Sequence, residues 1–124
     1  MFVNYNSNPN KAHVGDCVIR AISTALEMPW ENVYTELSNL GLRMGDMPSS
    51  NHVWGNYLYH KGFDAKFLPY FCPHCYTVKE FAEDHPHGTY ILGTGKHAVA
   101  VVDGDYIDAW DSGNEVPIYY FTRR

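Results

Sequence analysis

The apolar residues of this chain change period once, and that change constrains the fold more than any other feature. In the first half they recur every three to four positions: Val18, Ile19, Ile22, Ala25 and Leu26; Trp30, Val33, Tyr34, Leu37 and Leu40; Val53, Trp54, Tyr57 and Leu58. From residue 88 onward they form short β-branched and aromatic runs at 88–92, 97–102, 105–110 and 116–121, separated by glycine-containing breaks. Helical spacing followed by extended runs predicts helices first and strands last. That segregation is the pattern of an α+β domain, with helices packed on an antiparallel sheet, and excludes alternating parallel βαβ units.

Punctuation residues set the boundaries. Asp16 suits a helix N-cap and predicts a first helix over 17–27. Pro29 suits the start of a second helix that ends at Gly41, and Ser49 or Ser50 suits the cap of a third that ends at Gly62. A short strand over 63–68 follows, and Thr77 with Glu80 forms a capping-box pattern for a short helix over 77–84. The Asn-rich segment 1–15 reads as an extended or looped lead-in, 16–62 as the helical part, 63–87 as a connection and 88–124 as the antiparallel sheet.

At 124 residues the chain has room for one hydrophobic core, so a single domain over 1–124 is expected. With 45% hydrophobic against 19% charged residues it has ample apolar surface to fold, which excludes a disordered chain. The net charge of −5, with Arg123-Arg124 as the sole basic cluster, argues against nucleic acid as a partner. No run approaches a membrane span, and the N-terminus lacks the charged start and apolar centre of a signal peptide, so a cytoplasmic location with no membrane partner is expected. Three cysteines, an odd and sparse set, do not make a disulfide framework, and reduced thiols are expected.

Cys17 falls in the first turn of the first predicted helix, where unpaired amides and the helix dipole favour a thiolate. On spacing alone an inert buried thiol is the commoner outcome. Of seven histidines, only His97 directly opens a β-forming run followed by a carboxylate-bearing hairpin. If Asp103-Gly104 is a type I′ turn, Val102 faces Asp105, and His97 shares a sheet face with Tyr106, Asp108 and Trp110. Asp108 is then a diagonal neighbour of His97, while Asp111 points away; a one-residue slip exchanges the two. A carboxylate on one ring nitrogen would fix the tautomer and stabilise the imidazolium formed when the other nitrogen takes a thiol proton. A solvated strand carboxylate is the plain alternative for Asp108, and a core position for Trp110.

The segments Gly15-Asp-Cys-Val-Ile-Arg-Ala21, Gly95-Lys-His-Ala-Val-Ala-Val-Val-Asp-Gly104 and Tyr106-Ile-Asp-Ala-Trp-Asp-Ser112 resemble the papain-like cysteine peptidase superfamily. The chain is most similar to short microbial and phage-type members related to bacteriocin-processing peptidases. The resemblance covers residues 15–28 and 88–112 and implies a papain-like core with Cys17 as nucleophile, His97 as general base and acid, and Asp108 as orienter. It also implies a shielding role for Trp110. The family places a Gln about six residues before its Cys as an oxyanion donor, but this sequence contains no Gln; Asn10 is the candidate amide in its place.

The function expected from these residues is a thiol hydrolase, a cysteine peptidase or amidase, acting on a peptide or protein substrate with no cofactor. The alternative is a papain-like binding protein of phage or mobile-element type with little or no turnover. A third reading starts from Cys72-Pro-His-Cys75, whose spacing suits zinc, with His74, His85 or His87 completing the site in an interaction module. His85-Pro-His87 does not have the spacing of a usual structural zinc site.

Overall fold

The computed structural model describes residues 1–69 and 75–124. Among them four helices and six strands form a mixed α+β fold. The helices are α1 (Cys17–Leu26), α2 (Trp30–Met44), α3 (Asn51–His60) and α4 (Val78–Asp84). The strands are β1 (Phe2–Asn4), β2 (Phe63–Phe67), β3 (Thr89–Gly93), β4 (Ala98–Val102), β5 (Asp105–Asp108) and β6 (Tyr119–Arg123). They build one sheet in the order β1-β5-β4-β3-β6-β2.

The expectation of a C-terminal antiparallel sheet covered by N-terminal helices needs two corrections. First, the lead-in is not all loop: Phe2–Asn4 lies parallel to β5, which makes the sheet mixed, and β2 supplies the opposite edge. A three-residue edge strand is too short to leave a period, so nothing in the sequence announced it. Second, helices cover both faces. Alternation along β4 sends Ala98 and Ala100 into a core with α1, α2 and α3, including Ile22, Leu37, Trp54 and Leu58. Val99 and Val101 enter a second core with Phe81 and Val78 of α4. The alanines leave β4 a low surface on the side where α1 packs.

The helix boundaries follow local chemistry. α4 starts with the expected capping box, Thr77 Oγ1 accepting from the Glu80 amide and Glu80 Oε1 from the Thr77 amide. α2 does not stop at Gly41 but continues to Met44, with Gly45 in the left-handed conformation as its end. Gly41 serves a close approach instead: a Cβ there would stand 2.6 Å from the Asp46 carbonyl oxygen, which the returning chain brings against the helix.

The β4–β5 hairpin has the expected register. Asp103 and Gly104 both take positive φ, as a type I′ turn requires, and Val102 pairs with Asp105, Val101 with Tyr106 and Ala100 with Ile107. His97 immediately precedes β4 and Asp108 ends β5, so both stand at the margin of the sheet, where the first turn of α1 meets it.

Candidate active site

Cys17 is the first residue of α1, so its thiol sits at the helix's positive end, partly buried. His97 is placed by the β3–β4 turn: its amide donates to Thr94 Oγ1 at 3.0 Å and its carbonyl accepts from the Thr94 amide at 2.9 Å. The ring is fixed by Asp108, whose Oδ2 lies 2.6 Å from His97 Nε2. That bond leaves Nδ1 as the ring nitrogen available to a thiol. A side-chain hydrogen bond between Cys17 and His97 favours the charged form of each.

The carboxylate of Asp108 is saturated. Its Oδ1 accepts from Arg20 Nη1 (3.0 Å) and the Ala109 amide (2.8 Å), its Oδ2 from His97 and from Ser112 Oγ (2.6 Å). Four donors fill the carboxylate's acceptor sites and fix its plane. Asp111 faces elsewhere, accepting from the Tyr106 hydroxyl (2.7 Å) and the Gly113 amide, so the unslipped register selects Asp108. Trp110 packs beside the imidazole, ring centroids 4.9 Å apart, and covers one side of it while remaining 47% exposed itself.

The protonation states follow from these contacts. Burial opposes a thiolate at Cys17, but the His97 hydrogen bond, the Ala98 amide and the positive charges of His97 and Arg20 outweigh it and bring its pKa below the usual thiol value. Burial likewise opposes an imidazolium at His97, yet its bonds to Asp108 and Cys17 and their negative charges push its pKa up to about 9. Asp108 is buried too, but His97, Ser112 and Ala109 hold its pKa below the usual carboxylate value. All three shifts run toward the charged forms: thiolate, imidazolium and carboxylate.

Asp16 does not cap α1 with its side chain. Its buried carboxylate is spent on tertiary partners: Arg20 Nε at 2.8 Å, Trp30 Nε1 at 3.0 Å and Asn8 Nδ2 at 3.1 Å. Sequence reasoning missed Arg20, Ser112 and Asn8 altogether. The i,i+4 spacing of Asp16 and Arg20 was the one signal that could have drawn attention to Arg20.

A cleft of about 300 Å³ opens beside the sulfur, lined by Cys17, Asn51, Trp54, Lys96, His97 and Tyr119, among others. Asn10 is not among its lining residues; it is exposed, and its backbone N–H donates to Asn8 Oδ1. The side-chain amide that the fold does bring to the cleft is Asn51, at the start of α3. Its Oδ1 accepts from Trp54 Nε1 at 3.1 Å and from the Tyr119 hydroxyl at 2.8 Å. An indole N–H can only donate, so the oxygen must face Trp54, and Nδ2 is left to donate. Tyr119 reaches Asn51 because its ring lies over Gly93, its cross-strand partner, where a Cβ would collide with it.

The residues of the zinc reading are described only in part. Cys72 and His74 lie outside the described residues, and Cys75 is disulfide-bonded, against the expectation of reduced thiols. His85 stacks on Phe81 at 3.8 Å with Nδ1 against the Phe81 carbonyl, and His87 is exposed. Among the described residues no three His, Cys, Asp or Glu side chains converge on a metal position, and no helix is long and apolar enough to cross a membrane.

Comparison of the chain with protein-family models, with curated proteins and with solved structures found no match.

Proposed function

We propose that the protein is a papain-like thiol hydrolase, a cysteine peptidase or amidase that works through an acyl-enzyme on Cys17. One observation carries this reading: a thiol at a helix start meets an imidazole whose far nitrogen is bonded at 2.6 Å to a buried, saturated carboxylate. An inert core cysteine has no need of such an arrangement, and an ion pair poised at neutral pH is what nucleophilic attack on a carbonyl requires.

In the reaction, the Cys17 thiolate adds to the carbonyl carbon of an amide. The oxyanion takes hydrogen bonds from the Cys17 backbone amide and from Asn51 Nδ2, which stands in for the missing Gln and for the expected Asn10. His97 gives its proton to the leaving amine as the C–N bond breaks, leaving an acyl thioester. It then takes a proton from water as that water attacks the thioester, and returns it to the Cys17 sulfur as the acid departs. Asp108 keeps the ring oriented throughout and stabilises its charge. Trp110 shields the His97–Asp108 bond from water. The alternative of a binding protein without turnover gains nothing specific, since a binding surface does not need a charged thiol pair.

The test is acylation with a p-nitrophenyl ester, followed by mass spectrometry of the intact protein and its peptides. The expected result is a burst of nitrophenolate with one acyl group on Cys17, absent in Cys17→Ala and slowed about 100-fold in Asn51→Ala, the usual cost of one oxyanion donor. No acyl group on Cys17 while an unfolded control chain reacts would overturn the reading.

A further inference from the structure

The three catalytic residues belong to a row of five charged groups of alternating sign, Asp16, Arg20, Asp108, His97 and Cys17, with Trp30 and Asn8 closing its far end. Arg20 is at its centre. The guanidinium donates Nε to Asp16 Oδ1 at 2.8 Å and Nη1 to Asp108 Oδ1 at 3.0 Å, and its side chain is 12% exposed. It lies three residues after Cys17 on α1, so the two side chains share one helix face, with Cβ atoms about 5–6 Å apart by helix geometry. One turn of α1 thus grips the β4–β5 hairpin at two points, thiol against imidazole and guanidinium against carboxylate.

We propose that Arg20 is a positioning residue: it braces α1 against the end of β5, and its charge sets the pH range over which Cys17 and His97 exist as an ion pair. This rests on the Cys–His pairing of the proposed function and adds a residue that touches neither substrate nor the reacting atoms. Three donors besides Arg20 hold Asp108, namely His97, Ser112 and Ala109, so its orientation does not depend on Arg20 alone. What the others cannot replace is a fixed positive charge.

The charges facing the pair are Asp16 just before α1, Arg20 on α1, Asp108 from β5 and Lys96 from the β3–β4 turn, with the Tyr119 phenol on β6 as a further titratable group. α3 brings only the uncharged Asn51 and Trp54. Lys96 is exposed and solvated, which leaves Arg20 as the buried cation beside Asp108. A nearby positive charge favours loss of a proton from both partners. Removing it must therefore move the ionisation of the thiol and the neutralisation of the imidazolium in the same direction, toward higher pH.

The experiment is the pH dependence of iodoacetamide labelling at Cys17, read by mass spectrometry from pH 4 to 10. In the wild type the rate rises in two steps, one as the ion pair forms and one as His97 loses its proton. A single step at an ordinary thiol value would defeat the Cys–His pairing itself, and with it the proposed function. Given two steps, Arg20→Met moves both upward, and labelling on the lower limb falls about tenfold at fixed pH, the size expected for one charge at this range. Arg20→Lys, which keeps the charge, restores the wild-type steps. A lower step that rises while the upper one falls would show Arg20 to be mere packing, and two unmoved steps would show its charge to be irrelevant; either overturns the proposal. Should Arg20→Met fail to fold, Asp16→Asn removes one negative charge and leaves Arg20 in place. It must shift both steps downward, and no shift or an upward one overturns the proposal.

Discussion

Replacing Gly93 with alanine tests whether the cleft wall is built as described. A Cβ at this position would stand 2.5 Å from the Tyr119 hydroxyl oxygen and closer still to the ring. Ordinary contact distances require the ring to withdraw by about 1 Å or more, which breaks its 2.8 Å bond to Asn51 Oδ1. Overpacking of this kind costs about 1–3 kcal/mol. Without the ring, the same substitution should instead gain about 0.5–1 kcal/mol, because alanine loses less chain entropy than glycine in a strand. The measurement is a double-mutant cycle by urea unfolding over wild type, Gly93→Ala, Tyr119→Ala and the double variant. The coupling expected is about 1.5–4 kcal/mol, obtained as the cost of the clash plus the gain when it is absent. If Gly93→Ala is as stable as the wild type, or if the coupling lies within about 0.5 kcal/mol, Tyr119 does not depend on Gly93 and the argument for a held Asn51 amide fails.

Other expectations follow from the same contacts. Asp108→Asn removes the carboxylate that raises His97 to about 9, so the imidazolium is lost at lower pH and Cys17 labelling at pH 6 slows. Asp111→Asn, whose carboxylate serves Tyr106 and Gly113, leaves that rate unchanged; the reverse outcome would show that the hairpin register had slipped. Thr77→Ala removes one side of the capping box on α4 and should cost about 1 kcal/mol, or about 3–5 °C in Tm, measured calorimetrically.

What the sequence revealed depended on how local each determinant was. The β4–β5 hairpin was legible because Asp103-Gly104 admits one tight turn type, and pairing then follows by counting; Asp108 rather than Asp111 came out of that count. The α4 cap was legible for the same reason, since both partners lie within four residues. Asp16 was misjudged because a local role, capping α1, lost to a tertiary one: three donors from three segments compete for the same carboxylate. Asn51 was invisible as a cleft donor because its orientation needs Trp54, Tyr119 and the space above Gly93 together. Asn10 was nominated by its distance from Cys17 along the chain, which says nothing of where the loop turns. β1 escaped because three residues at a sheet edge carry no pattern.

The central claim is that Cys17 and His97 form a reactive pair, and the labelling rate of Cys17 at pH 6 tests it most directly. An unperturbed thiol is well under 1% ionised there, whereas the His97 and Ala98 hydrogen bonds lower the Cys17 pKa and raise its thiolate fraction. Even allowing for the weaker nucleophilicity of a low-pKa thiolate, labelling should exceed that of the unfolded chain by about tenfold or more, and His97→Ala should remove the advantage. Equal rates for the folded protein, the unfolded chain and the His97→Ala variant would contradict the account.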